Sequence, residues 1–125
     1  MKRITNPIYT AEEKAYLEFV LQNEFPERDL VFDQLNAMKE PDITRDVSPY
    51  YWIMEFRPNG TNTGQGYMRP YIQIEVLGQA STVFTLYERN GAVFELEIYQ
   101  ADGSEMNLGT IMDGKVMVHR ELLIE

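Results

Sequence analysis

Residues 82–100, TVFTLYERNGAVFELEIYQ, decide the fold. Phe84 and Leu86 alternate with Val83, Thr85 and Tyr87; beyond Asn90-Gly91, Phe94, Leu96 and Ile98 alternate with Glu95, Glu97 and Tyr99. Period-two alternation on both sides of an Asn-Gly turn predicts a β-hairpin with one apolar and one polar face. A two-residue Asn90-Gly91 loop sets Leu86 opposite Glu95 and Phe84 opposite Glu97, which mixes the faces. A three-residue loop, Arg89-Asn90-Gly91, pairs Leu86 with Phe94 and Phe84 with Leu96. Register slips flip every side chain, so the matching faces select three residues, a type I turn closed by a glycine bulge.

Working outward, residues 71–77 place Ile72, Ile74 and Val76 inward against Tyr71, Gln73, Glu75 and Leu77, and Gly78 to Ser81 link them to the hairpin. Residues 50–57 place Tyr50, Trp52, Met54 and Phe56 on one face, and Tyr51, Ile53, Glu55 and Arg57 on the other. Lys115 to Ile124 reads as a final strand with Val116 and Val118 inward, after Asp-Gly turns at 102–103 and 113–114. Residues 10–24 read as a helix: Thr10 and Glu13 have capping-box spacing, Ile8 or Tyr9 can staple the first turn, and Pro26 marks the limit. Leu17, Val20 and Leu21 form its apolar stripe, widened by Tyr16 and Phe19. Residues 29–38 carry two conflicting periods and are read as a short strand or irregular edge, and 39–49 as a loop. The expected fold is α+β, an N-terminal helix packed on an antiparallel meander sheet of four to six strands.

At 125 residues and 44% hydrophobic, the chain fits one domain, 1–125, with a single core. Cysteine is absent, which removes disulfides and thiolate chemistry. No stretch approaches the roughly 20 apolar residues of a membrane span, and Glu12, Glu13 and Lys14 interrupt any leader-like run, so the cytoplasm is the expected compartment. Twenty acids against eleven bases give a net charge of −9. That balance disfavours nucleic acid and anionic membranes and permits a basic protein partner, although acidity also serves solubility alone.

Catalytic and metal motifs are sparse. His119 is the single histidine, with Glu121 two residues on; one imidazole without paired ligands makes no zinc site, and a surface histidine is the simpler reading. The loop NGTNTGQG, 59–66, has three glycines but no P-loop lysine, and a strand follows where a helix should begin. Arg57 and Arg69 flank it, which leaves an anion-binding or small-enzyme alternative centred on 57–69. No cofactor or metal is expected.

The polar sheet face holds more. Alternation places Tyr51, Glu55, Tyr71, Glu75, Tyr87, Glu95, Glu97 and Tyr99 outward together. Tyrosine supplies rigid contact area with a polar tip and is enriched in interfaces, though it is also a good former of half-exposed strands. Interleaved with glutamates, it suits an arginine-rich partner better than a second copy of the same face, where glutamates would repel.

Phe94, Glu95, Leu96, Glu97, Ile98 and Tyr99, together with the threonine-capped helix of Thr10 to Leu21, resemble a family of small bacterial domains of unknown function. A glycine-rich segment of that pattern is replaced here by Asn36-Ala37-Met38-Lys39. Small acidic α+β proteins of this kind are similar to immunity proteins of bacterial toxin systems. The net charge, the absent catalytic set and the Tyr/Glu sheet face lead to the expectation of a non-enzymatic protein-binding domain, most concretely an immunity-type inhibitor of a basic bacterial toxin.

Overall fold

A computed structural model describes residues 2–57 and 66–119. Among them lie helices α1 (Ala11–Leu21) and α2 (Arg28–Asn36), a 3-10 turn (Glu40–Asp42), and strands β1 (Ile43–Ser48), β2 (Tyr51–Phe56), β3 (Met68–Leu77), β4 (Thr82–Arg89), β5 (Ala92–Gln100) and β6 (Lys115–Val118). The strands form one antiparallel sheet in the order β1-β2-β5-β4-β3-β6. The α+β architecture therefore stands as expected, with α1 on the sheet. Strands β3, β4 and β5 follow one another as a meander. The β1–β2 hairpin attaches to β5 through β2.

The capping box forms as its spacing predicts. Thr10 Oγ1 accepts from the Glu13 amide at 3.1 Å, and Glu13 Oε1 accepts from the Thr10 amide at 2.9 Å. Glu13 also receives Arg45 of β1, whose Nε lies 2.6 Å from Oε2, while Arg45 Nη1 donates to Glu40 at 2.7 Å. One carboxylate thus starts the helix and ties it to the sheet edge. The stripe of Tyr16, Leu17, Val20 and Leu21 is buried, with Tyr16 edge-on to Trp52 at 5.1 Å and Phe19 against Phe84 at 5.2 Å.

Residues 28–36 are helical, where a strand or irregular edge was expected. Val31 and Leu35, four apart, are fully buried with Phe32 beside them, while Leu30 is 43% exposed; burial follows the 3.6-residue period. Asn6 Nδ2 donates to the carbonyls of Leu35, Asn36 and Met38, holding the C-terminal end of the helix. The 39–49 loop is likewise corrected. It contains the 3-10 turn and the edge strand β1, paired with β2 from Ile43 opposite Phe56 to Ser48 opposite Tyr51.

The 82–100 hairpin forms, and Phe84 and Leu96 are buried in the core, but its turn differs from expectation. Arg89 pairs with Ala92 across a two-residue loop in which Asn90 (φ 55°) and Gly91 (φ 79°) both have positive φ, the type I′ arrangement. A bulge then restores the faces: Glu88 pairs with Val93 and Tyr87 with Glu95, leaving Phe94 as an extra residue. Beyond it Leu86 meets Leu96 and Phe84 meets Ile98. The apolar sets coincide by insertion in β5, not by a longer loop.

A second irregularity, between Pro70 and Ile72 of β3, turns Tyr71 inward. Its ring packs 6.0 Å from Phe25, and it is 5% exposed. Val116 and Val118 of β6 pair with Val76 and Ile74 on the helix side, as expected. Residues 120–124 of that expected strand lie outside the described residues.

Candidate functional site: the open sheet face

Alternation gives the sheet a second face, opposite the helices. Registers place its residues in rows. Glu55 of β2 lies directly across from Glu95 of β5, which lies across from Tyr87 of β4. The next row runs Asp46, Ile53, Glu97, Thr85, Gln73, and the next Ser48, Tyr51, Tyr99, Val83, Glu75, Met117. Among the described residues, both helices lie on the other side.

Six of the eight residues expected on this face, Tyr51, Glu55, Tyr87, Glu95, Glu97 and Tyr99, come together on β2, β5 and β4. Glu75 shares the face but sits two strands from β5, with His119 Nε2 at 3.1 Å from its Oε1. Glu121 lies outside the described residues. Tyr71 does not belong: the irregularity at Pro70/Ile72 puts it under Phe25, so its expected outward position is corrected. Phe94, expected in the core, takes the place the sequence did not assign. As the bulged residue it shares the side of Glu95, and its ring carries the Arg89 guanidinium at 3.9 Å and that of Arg57 at 5.8 Å.

The face is partnered unevenly. Tyr51 donates to Asp46 Oδ1 at 3.2 Å, Tyr87 donates to Glu97 Oε1 at 3.2 Å, and Gln73 donates to Thr85 at 2.9 Å. Arg57 donates to Glu55 at 3.3 Å. Glu95 receives no hydrogen bond from any described residue, although it is only 8% exposed. Burial, then the neighbouring Glu97 and Glu55, push its carboxyl up to about 7, with Arg89 acting in the opposite sense. Burial, then the charge of Glu97, push Tyr87 up to about 12, and burial also raises Tyr99. Both phenols therefore stay neutral hydrogen-bond donors. No group of three or more His, Cys, Asp or Glu among the described residues is placed to hold a metal ion.

The two arginines named for the anion-binding alternative are set apart in the sheet. Three strand spacings, about 14 Å, separate β2 from β3, and the two arginines face different layers. Arg57 lies with Glu55 and Phe94 on the open face, whereas Arg69 donates to Glu88 at 2.8 Å and lies 4.0 Å from Glu27, at the start of α2. Residues 58–65 between them lie outside the described residues. A polar concavity of about 540 Å³ sits at the other end of the sheet, lined by Thr82, Gln100, Asp102, Asn107 and Asp113 among others.

Arg89 and Phe94 are the members of this face that the sequence did not point to. Their signal was the Asn-Gly dipeptide itself: a two-residue turn with mismatched faces requires a bulge, and the bulged residue changes side. Comparison of the chain with protein-family models, with curated proteins and with solved structures finds no match.

Proposed function

We propose that this chain is a non-enzymatic protein-binding domain whose open sheet face docks on a basic protein, most concretely as an immunity-type inhibitor that covers a basic bacterial toxin domain. The observation that carries the reading is Glu55 directly opposite Glu95, with Glu97 two residues along and Tyr51, Tyr87 and Tyr99 around them. Like charges facing across strands disfavour the free domain, and a cationic partner relieves the repulsion. The three tyrosines supply the contact area that charge alone lacks. The chain's charge of −9 adds long-range steering toward such a partner.

The test is association with basic toxin-like proteins encoded beside this gene, followed by stopped-flow kinetics. Reversing charge at Glu55 and Glu97 together slows association about tenfold or more at low salt and flattens its salt dependence. Truncating Tyr99 to alanine acts on dissociation instead. Binding that ignores both sets of substitutions refutes the reading.

A further inference from the structure

We propose that Glu95, between Glu55 and Glu97, is the socket for a single arginine side chain of the partner. The inference rests on the partner-face reading above and names the contact at its centre. Glu95 is nine-tenths buried as a residue, and its carboxylate takes no hydrogen bond among the described residues while its oxygens still reach the open face. Glu55 and Glu97 each have a neutralising or donating neighbour, Arg57 and Tyr87. The chain's own nearby guanidinium acts on Glu95 only through its charge and makes no hydrogen bond to it: Arg89 Cζ lies 3.9 Å from the centre of the Phe94 ring, and its buried Nε has no hydrogen-bond partner among the described residues.

Spacing selects the size of the cation. Directly opposed β-carbons lie roughly 5 Å apart, and alternate residues on one strand roughly 7 Å. The three carboxylates form a triangle on that spacing, and no group of three or more His, Cys, Asp or Glu among the described residues is placed to hold a metal ion. A guanidinium spans that triangle, presents five N–H donors in a plane, and stacks on aromatic rings such as Tyr87 and Tyr99 at the border. An ammonium also has several donors but is a compact point charge without the planar fork that matches a carboxylate edge.

The groups facing Glu95 are Glu55 from β2 and Arg57 just beyond it, Tyr87 and Arg89 from β4, and Phe94 and Glu97 from its own strand. A guanidinium entering this set favours the ionised form, so binding releases a proton near neutral pH and tightens as pH rises.

The probe is N-acetyl-arginine amide, titrated into the full chain with the glutamate carboxyl carbons followed by NMR. Saturation lowers the midpoint of the Glu95 titration by about one pH unit, and the probe binds about tenfold more tightly at pH 8 than at pH 5.5. N-acetyl-lysine amide binds more weakly at the same carboxyls. Glu95→Gln abolishes the pH dependence and loses about tenfold in affinity, while Glu24→Gln, exposed beyond the end of α1 in the helix layer, stays within about twofold of the parent. Circular dichroism of each variant verifies the fold.

Equal probe binding by Glu95→Gln and the parent at pH 8 overturns the socket, as do carbon shifts confined to other carboxylates. The two readings fail differently. If charge reversal at Glu55 and Glu97 weakens a basic partner while Glu95→Gln does not, the socket is wrong and the face stands. If neither matters, both fall.

Discussion

Replacing Glu95 by glutamine makes the electrostatic cost of the open face measurable without any partner. In an unfolded chain this carboxyl titrates near its ordinary 4.5, and in the fold it titrates at about 7. Between those values the folded state holds the proton more tightly, so stability is greatest below 4.5 and declines as pH rises through 7. At about 1.4 kcal/mol per pH unit, ionising Glu95 costs the fold about 3 kcal/mol in total and about 2.5 kcal/mol between pH 5 and pH 8. The residue is 8% exposed but its carboxylate oxygens reach solvent, so screening makes these figures upper bounds. Urea unfolding of both proteins at the two pH values isolates the effect, because the remaining carboxylates are common to both. The stability difference in favour of Glu95→Gln grows by about 2.5 kcal/mol from pH 5 to pH 8, equivalent to roughly 10 °C in midpoint for a chain of this size. A difference that stays constant with pH, or grows in the other direction, refutes the account of a buried, repelled carboxylate. The same substitution is predicted to weaken arginine binding, so a gain in stability accompanied by a loss of binding is the combined signature.

Arg45→Ala removes the partner of a Glu13 side chain only 3% exposed, and urea unfolding at pH 7 should show a loss of about 3–5 kcal/mol. Gly91→Val meets no atom within 4 Å of the added β-carbon, so any loss comes from the positive φ of 79° alone; about 1–2 kcal/mol is expected by thermal unfolding. Asn6→Ala leaves the carbonyls of Leu35, Asn36 and Met38 without their side-chain donor. A loss of about 1–3 kcal/mol follows, with faster amide hydrogen exchange confined to the end of α2 and its following turn.

Elements whose local chemistry and periodicity agree were legible in the sequence. Thr10 and Glu13 marked the helix start, and Trp52, Met54, Ile72, Ile74, Phe84 and Leu96 all lie on the core face that alternation assigned them. Errors fall where one interaction breaks a period. Strand β1 was hidden because Arg45, a charge, points to the helix side to meet Glu13, so ITRDVS carries no apolar alternation. Segment 28–36 holds both periods, and burial of Val31 and Leu35 decides between them only once the sheet is present to cover them. The irregularities at Phe94 and Tyr71 each change one residue's side without altering composition, which no count of alternating residues detects. Most of the candidate face survived because Glu95, Glu97 and Tyr99 follow the bulge in unbroken alternation. Its pairing with Glu55 was not legible, since β2 and β5 meet only through the strand order.

That strand order has a consequence for how the chain assembles in time. Strands β3, β4 and β5 are joined by short turns, so their contacts close small loops at little entropic cost. The β1–β2 hairpin is equally local within itself, yet its seam with β5 brings Met54 opposite Leu96, across the whole length of the intervening two strands. Topology of this kind orders the search: the β1–β2 hairpin and the β3–β4–β5 meander form quickly, and the slow, rate-setting event is their docking along a single seam. Glu55 and Glu95 face each other on that seam, so their mutual repulsion acts where the two units must join. Acidic conditions that protonate Glu95 should therefore speed refolding as well as stabilise its product, whereas truncations within the β3–β4 turn should leave the docking step unchanged.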